Sequence, residues 1–383
     1  MKRKNTSFLL FFCLLTYFVK AQIVPPTASS SDIYQQLKKL NVLGSVLYIA
    51  AHPDDENNGL LPYLAKEKLY RTAYLSLTRG DGGQNLIGPE QGIELGMIRT
   101  HELMAARAID GSEQYFTTAY EFGFSKSAEE ALRIWDRERV LEDVVWMIRK
   151  FQPDIIVARF PGDERAGHGH HAASAIIANE AFEAAADPNK FPDQFRYGVK
   201  PWKAKRILWN TFNFGRTNTT SDNQLKMEVG GYNPLIGKSY GELGGEARSM
   251  HKSQGFGASG WRADYYNYFL YMAGQRAVNG LFEGIDATWN RVNGSGEVSK
   301  LLEQALNDFD EDNPSKIVPI LIEAYKKVNN LSDEHWVQIK SREILNIIRA
   351  CSGIWIERAC KRLLVQFCNT GAGPCLWYSL RRT

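Results

Sequence analysis

Three of this chain's seven histidines crowd into one short stretch, His168, His170 and His171, and a fourth, His52, opens the segment AHPDDE. His52 and Asp55 lie three residues apart in a turn containing Pro53, so both side chains can point at one metal ion while Asp54 stays free. A third ligand from a different strand end would close a set of two histidines and one carboxylate, leaving a position open for water. Zinc suits nitrogen and carboxylate ligands with no redox requirement, and ferrous iron suits the same set. A metal so held draws the pKa of its water towards ~7, and a nearby carboxylate takes the proton as hydroxide attacks an amide carbonyl. Asp54 is the candidate base, because it adjoins a ligand without being one. A histidine on the other side would stabilise the oxyanion and protonate the departing amine. Taken singly, HPDD also reads as turn chemistry and GHGHH as a solvated loop. Their joint placement at strand ends is what predicts a metal site.

Other residues carry weaker signals. The loop Arg79-Gly-Asp-Gly-Gly-Gln-Asn85 is glycine-rich enough for close backbone approach, and Asp81 or Gln84 could bind sugar hydroxyls at a pocket rim; a flexible turn is the plain alternative. His251 reads as a histidine bonded within helix packing, with a place in the pocket as the alternative. His101 and His335 fall on predicted helices as ordinary surface or boundary residues.

The elements that must position these groups alternate between strand and helix. A short amphipathic helix over Asp32–Leu40 precedes a continuous apolar run, Ser45–Ala51, that reads as a buried strand. Helix is expected over 59–68 and strand over 71–78. After the glycine-rich loop, helix is expected over 92–109. Val140, Val144, Ile148 and Phe151 mark another helix, Asp154–Phe160 a second buried strand, His171–Phe182 the helix behind it, and Arg206–Asn210 a last core strand. This order predicts an α/β, Rossmann-like fold: a mostly parallel sheet flanked by helices, with ligands at the carboxyl ends of its strands. Both histidine segments follow strands and so fall there. From about Asp286 the chain reads as helical, with starts before Lys316–Val328 and His335–Ile348. The expected organisation is 1–21 signal peptide, 22–44 linker and short helix, 45–285 main domain, 286–356 helical extension and 357–383 atypical tail.

Composition narrows the partners. Lys2, Arg3 and Lys4, then the apolar Ser7–Phe18 and the small residues Val19 and Ala21, predict a signal peptide cleaved after Ala21 and an exported protein, periplasmic or extracellular. An uncleaved anchor is the alternative. The formal charge is +3; setting aside the basic start and the basic tail leaves 22–356 at about −5, which lacks a nucleic-acid footprint. Between Gln22 and Ala350 there is no cysteine, so thiolate ligands and a disulfide framework are excluded there. Cys351, Cys360, Cys368 and Cys375 crowd the end, and the Cys- and Arg-rich tail from Glu357 suggests a truncated or frame-shifted reading frame.

AHPDDE followed by GHxxH resembles the PIG-L/LmbE family of zinc-dependent N-acetylglucosaminyl deacetylases. LGMIRTHEL at 95–103 is similar to that family's Arg-x-x-Glu-Leu helix, and ARSMHKSQ at 247–254 to its late His-x-Ser/Thr-Gln segment. The likeness runs from about Ser45 to Gly257. It implies removal of an N-acetyl group from an N-acetylglucosamine-containing sugar or glycan. Carried over by position, His52, Asp55 and His171 become the metal ligands, and Asp54 the base. His168 becomes the histidine that polarises the carbonyl and assists the amine, and Arg99 a contact to substrate hydroxyl or phosphate groups. An ion pair with Glu102 is the alternative for Arg99. One departure stands out: relatives read His-Pro-Asp-His, with an aspartate orienting the catalytic histidine, whereas here His170 takes the aspartate's place. Either another acid, Asp163 or Glu164, then supplies the orientation or His168 is tuned differently, and His170 competes with His171 as ligand. An amidase acting on another substituted amino-sugar amide would keep the same residues; a non-catalytic glycan-binding module would be expected to have lost Asp54 or a ligand.

Overall fold

The computed structural model describes residues 28–353 except Arg216 and Phe256. The expected signal peptide over 1–21 and the tail over 357–383 lie outside the described residues.

Helix α1, Ser30–Leu40, starts where Ser29 and Asp32 close a capping box: the Ser29 hydroxyl accepts the Asp32 N–H and the Asp32 carboxylate accepts the Ser29 N–H. Strand β1, Ser45–Ala50, is buried along its whole length, as a central parallel strand must be. The short helix α2, Leu60–Pro62, continues as a π-turn over Tyr63–Glu67, and β2, Arg71–Ser76, pairs parallel with β1 from Ser45↔Arg71 onward. Helix α3, Ile93–Asp110, leads to β3, Glu113–Phe116; α4, Ala128–Trp135, and α5, Arg137–Phe151, then lead to β4, Ile155–Ala158. Helix α6, Gly169–Ala184, precedes β5, Arg206–Thr211.

Beyond β5 the expectation of a last core strand fails. β6, Leu225–Glu228, precedes α7, Tyr240–Arg248, and β7, Tyr266–Gly274, which pairs antiparallel with both β5 and β6. The sheet therefore has seven strands in the order β3-β2-β1-β4-β5-β7-β6, the first five paired in parallel and β7 alone running against the rest. The order reverses beside β1, and both histidine segments leave the sheet at that reversal, between β1 and β4.

Three further helices follow: α8, Gly296–Asn307, α9, Val318–Val328, and α10, Glu334–Cys351. Their apolar faces do not join the sheet's core. They form a second core with Ile33, Leu37, Leu40 and Leu43, so α1 belongs to the helical extension and is not part of a linker. Lys340 fixes that union, its ammonium donating to the carbonyls of Lys39 (3.0 Å) and Val42 (2.8 Å), near the carbonyl end of α1. Arg291 joins the two cores through a bidentate pair with Asp154, 2.8 and 2.9 Å, just before β4. No helix among the described residues is long and apolar enough to cross a membrane.

Candidate metal centre

The turn after β1 is strained and tightly held. Asp54 has φ 86°, a value costly for a residue with a Cβ. The Asp54 carbonyl accepts the Arg248 guanidinium, and the His52 carbonyl accepts the Tyr74 hydroxyl. The Asp55 carboxylate accepts the His52 N–H at 2.7 Å, which folds it back beside the His52 ring.

Helix α6 delivers the other histidines. The expected helix start at His171 moves back: His168 is the N-cap, its Nδ1 accepting the His170 N–H at 3.2 Å, so His170 and His171 lie on the first turn. Adjacent helix positions point about 100° apart. His170 is fully buried, stacked on Trp135 (4.6 Å between centroids) and edge-on to Phe122. His171 instead stacks on Phe160 at 3.8 Å and turns Nε2 to Asp55 Oδ1, 3.5 Å away. Its Nδ1 faces the Ala166 carbonyl at 3.0 Å, which leaves Nε2 as the free ligand atom when that contact is a donated bond.

His52, Asp55 and His171 thus offer ligand atoms within 4.8 Å of one another. Asp55 Oδ2 lies 3.2 Å from His52 Nδ1. Ligands bonded to one tetrahedral zinc at ~2.0–2.2 Å stand roughly 3.3 Å apart, so donor set and spacing fit a divalent metal. His170 faces the opposite side of His52, 3.0 Å from its Nε2, and falls into a second group with His52 and His168.

Glu121 carries no sequence motif, yet it ties these rings together. It follows β3 in a loop, with Oε2 2.9 Å from His52 Nε2 and Oε1 3.3 Å from His170 Nδ1. A carboxylate behind a metal-ligating histidine fixes its tautomer and ring direction. Neither Asp163 nor Glu164 serves here. Asp163 pairs with Arg165 beside it at 2.6 Å, and Glu164 is exposed. The His168 ring is oriented by backbone: besides the His170 N–H, the Ser125 N–H points at its Nε2, 3.3 Å away.

Arg99 does not pair with Glu102. Its Nη2 donates to Asp54 Oδ1 (3.0 Å) and to the Pro53 carbonyl (2.7 Å), and the residue is only 3% exposed. Glu102 accepts the Ser253 N–H and hydroxyl, both at 2.6 Å. The glycine-rich loop clears space for this arrangement: a Cβ on Gly80 or Gly83 would strike the Arg99 guanidinium, and one on Gly82 the Glu121 carbonyl. Asp81, expected at a sugar, accepts the Glu121 N–H at 3.1 Å and so positions the carboxylate behind His52. Gln84 is exposed at the loop's end. His251 is fully buried and bonded to Glu56 at 2.8 Å, which also meets Arg107 at 3.1 Å. His101 is exposed, whereas His335 is partly buried with no partner for Nε2.

The charges are interdependent. Burial would lower the His52 imidazole, but Asp55 and Glu121 outweigh it and raise it to about 10. Burial opposes ionisation of Asp55, yet His171 and His52 hold its carboxyl far below the usual carboxylate range. Asp54 is raised to about 6 by burial, with Arg99 pulling it down and Asp55 pushing it up. Burial and the neighbouring histidines push His168 down to about 4, so its ring is neutral.

Residues 47–182 match the family model described as GlcNAc-PI de-N-acetylase, PIG-L. That stretch of the chain is similar to this family. Similar curated proteins include the 1D-myo-inositol 2-acetamido-2-deoxy-alpha-D-glucopyranoside deacetylase of Geodermatophilus obscurus, 28% identical over 43% of this chain and 60% of that one. The mycothiol S-conjugate amidase of Streptomyces coelicolor is 28% identical over 45% of this chain and 62% of that one. The chain thus spans about three-fifths of the length of these curated relatives. Among solved structures it is similar to the N,N'-diacetylchitobiose deacetylase of Pyrococcus horikoshii, at a TM-score of 0.44 and 18% identity, covering 76% of this chain and 100% of that one.

Proposed function

We propose that this chain is a metal-dependent hydrolase that removes the acetyl group from an N-acetylglucosamine-containing sugar or glycan, outside the cytoplasm. The observation that carries this reading is the set His52, Asp55 and His171 at ligand spacing, with Asp54 beside it and not part of it. The match of residues 47–182 to the PIG-L family model and the activity named for a curated relative support the substrate class. A relative named as an amidase supports a second reading, cleavage of a different amide on an amino sugar by the same residues.

His52, Asp55 and His171 would hold the metal, zinc in the first instance and ferrous iron as the alternative. Such an ion supplies a Lewis acid for the amide oxygen and lowers the pKa of water. Asp54 takes the proton of the attacking water through Oδ2, since Arg99 holds Oδ1. The proton that Asp54 takes up can then pass to the leaving amine, while His168, neutral and capping α6 through Nδ1, would polarise the carbonyl through a proton on Nε2 that displaces the Ser125 N–H contact there. Arg99 then acts through Asp54, and Gln84 is the exposed loop residue left to meet a sugar. The test is amine release from a panel of N-acetylated sugars by zinc-loaded protein. Release that stops on chelation and returns with zinc is expected; an inert protein with stoichiometric zinc would contradict the reading.

A further inference from the structure

We propose that the groove beside the metal cluster is a subsite for an anionic group on the substrate, a carboxylate or a phosphate, read by Arg159. The inference rests on the hydrolase reading above and extends it to substrate choice.

Arg159 directly follows β4, at the same carboxyl edge as His52, and its neighbour Phe160 is the ring that stacks on His171. Its guanidinium sits 5.3 Å from the Phe212 ring and 5.6 Å from the Phe160 ring, which fixes its direction without neutralising it. Among the described residues no carboxylate pairs with it, and its buried Nε has no partner; its polar neighbour is the neutral Tyr48 hydroxyl. The nearby Arg99 and Arg107 differ, each being matched by a carboxylate, Asp54 for one and Glu56 and Asp110 for the other. A half-buried cation without a counter-ion is costly, and a ligand that brings the missing charge removes that cost.

The surroundings select the same chemistry. Arg159 lines a groove of about 710 Å³ that begins at Glu56, one residue past the metal turn. Two more donors on its wall lack partners: Asn267 Nδ2, on a residue only 4% exposed, and Trp261 Nε1. These three groups donate, and the one unmatched acceptor of the lining, Glu56 Oε2, lies at the groove's start, so the complementary ligand presents acceptor oxygens at the Arg159 end. The flanking rings of Phe212, Tyr265 and Tyr266 offer flat apolar faces for the sugar that carries the anion.

The test compares three substrates: methyl N-acetylglucosaminide, N-acetylmuramic acid for the carboxylate, and N-acetylglucosamine 6-phosphate for the phosphate. The wild-type protein is expected to favour at least one charged sugar over the neutral one by about 10- to 100-fold in kcat/KM, chiefly through KM, as a charge-assisted pair implies. Arg159→Gln should bring that ratio close to one, and Arg159→Lys, which keeps the charge, should retain part of it. Equal kcat/KM for all three in the wild type would overturn the proposal. So would an Arg159→Gln loss of the same size on all three, since Arg159 would then only balance the cluster's charge. If none is hydrolysed the deacetylase reading fails, but calorimetric titration with the two anionic sugars still decides the subsite. Binding lost in Arg159→Gln supports it; no binding to the wild type overturns it.

Discussion

At the scale of single residues, the centre depends on a division of labour within four consecutive positions. His52 and Asp55 face His171, while Asp54 is turned aside by a left-handed backbone and clamped by Arg99. In HPDD the turn itself was legible, because Pro and Asp favour one. Glu121 was not legible. It lies in YEFGF, where neither spacing nor composition distinguishes it, and reaches His52 only because β3 pairs with β2 and carries its loop across. Glu121→Gln keeps the size of the side chain and removes the charge behind His52. Zinc affinity is expected to fall by about 10- to 100-fold, and turnover to recover in excess zinc. Unchanged affinity in a competition titration would show that Glu121 does not support the ligand.

At the scale of elements, what the sequence made legible follows from burial. Ser45–Ala50 and Ile155–Ala158 lie inside the sheet with both faces covered, so they read as continuous apolar runs. β3 is half-buried throughout and β7 mixed, and both were missed, as was the eight-residue α4, too short for a repeat to stand out. The start of α10 carries a prediction of its own. His335 is pushed down to about 4, first by burial and then by Arg71. Its ordinary value is 6.5, so the unfolded chain binds a proton that the fold rejects. This contribution to stability is complete above pH 6.5 and is lost as pH falls from there towards 4. The urea midpoint should drop over that window, and less steeply in His335→Gln. An identical pH slope in the variant would assign the acid sensitivity elsewhere.

At the scale of the whole molecule, one chain builds two cores. The sheet and its helices hold the candidate metal centre, while α1 closes a helical layer with α8, α9 and α10. The chain order hid this, because α1 precedes the sheet and its partners follow it; periodicity locates a helix without saying what covers its apolar face. The same separation explains why the histidine pairing could be read and the groove could not. Two motifs on neighbouring parallel strands meet by topology, whereas Arg159, Trp261 and Asn267 meet only through the antiparallel edge that β7 adds. The account as a whole rests on Asp54 moving a proton without holding the metal. The most direct test measures zinc content and amine release from an N-acetylglucosaminide side by side in wild type and Asp54→Ala. The expected result is near-stoichiometric zinc in both and a fall in kcat of about 100-fold or more in the variant, the range of a lost general base. Turnover that survives at full zinc content, or zinc that leaves together with activity, would contradict it.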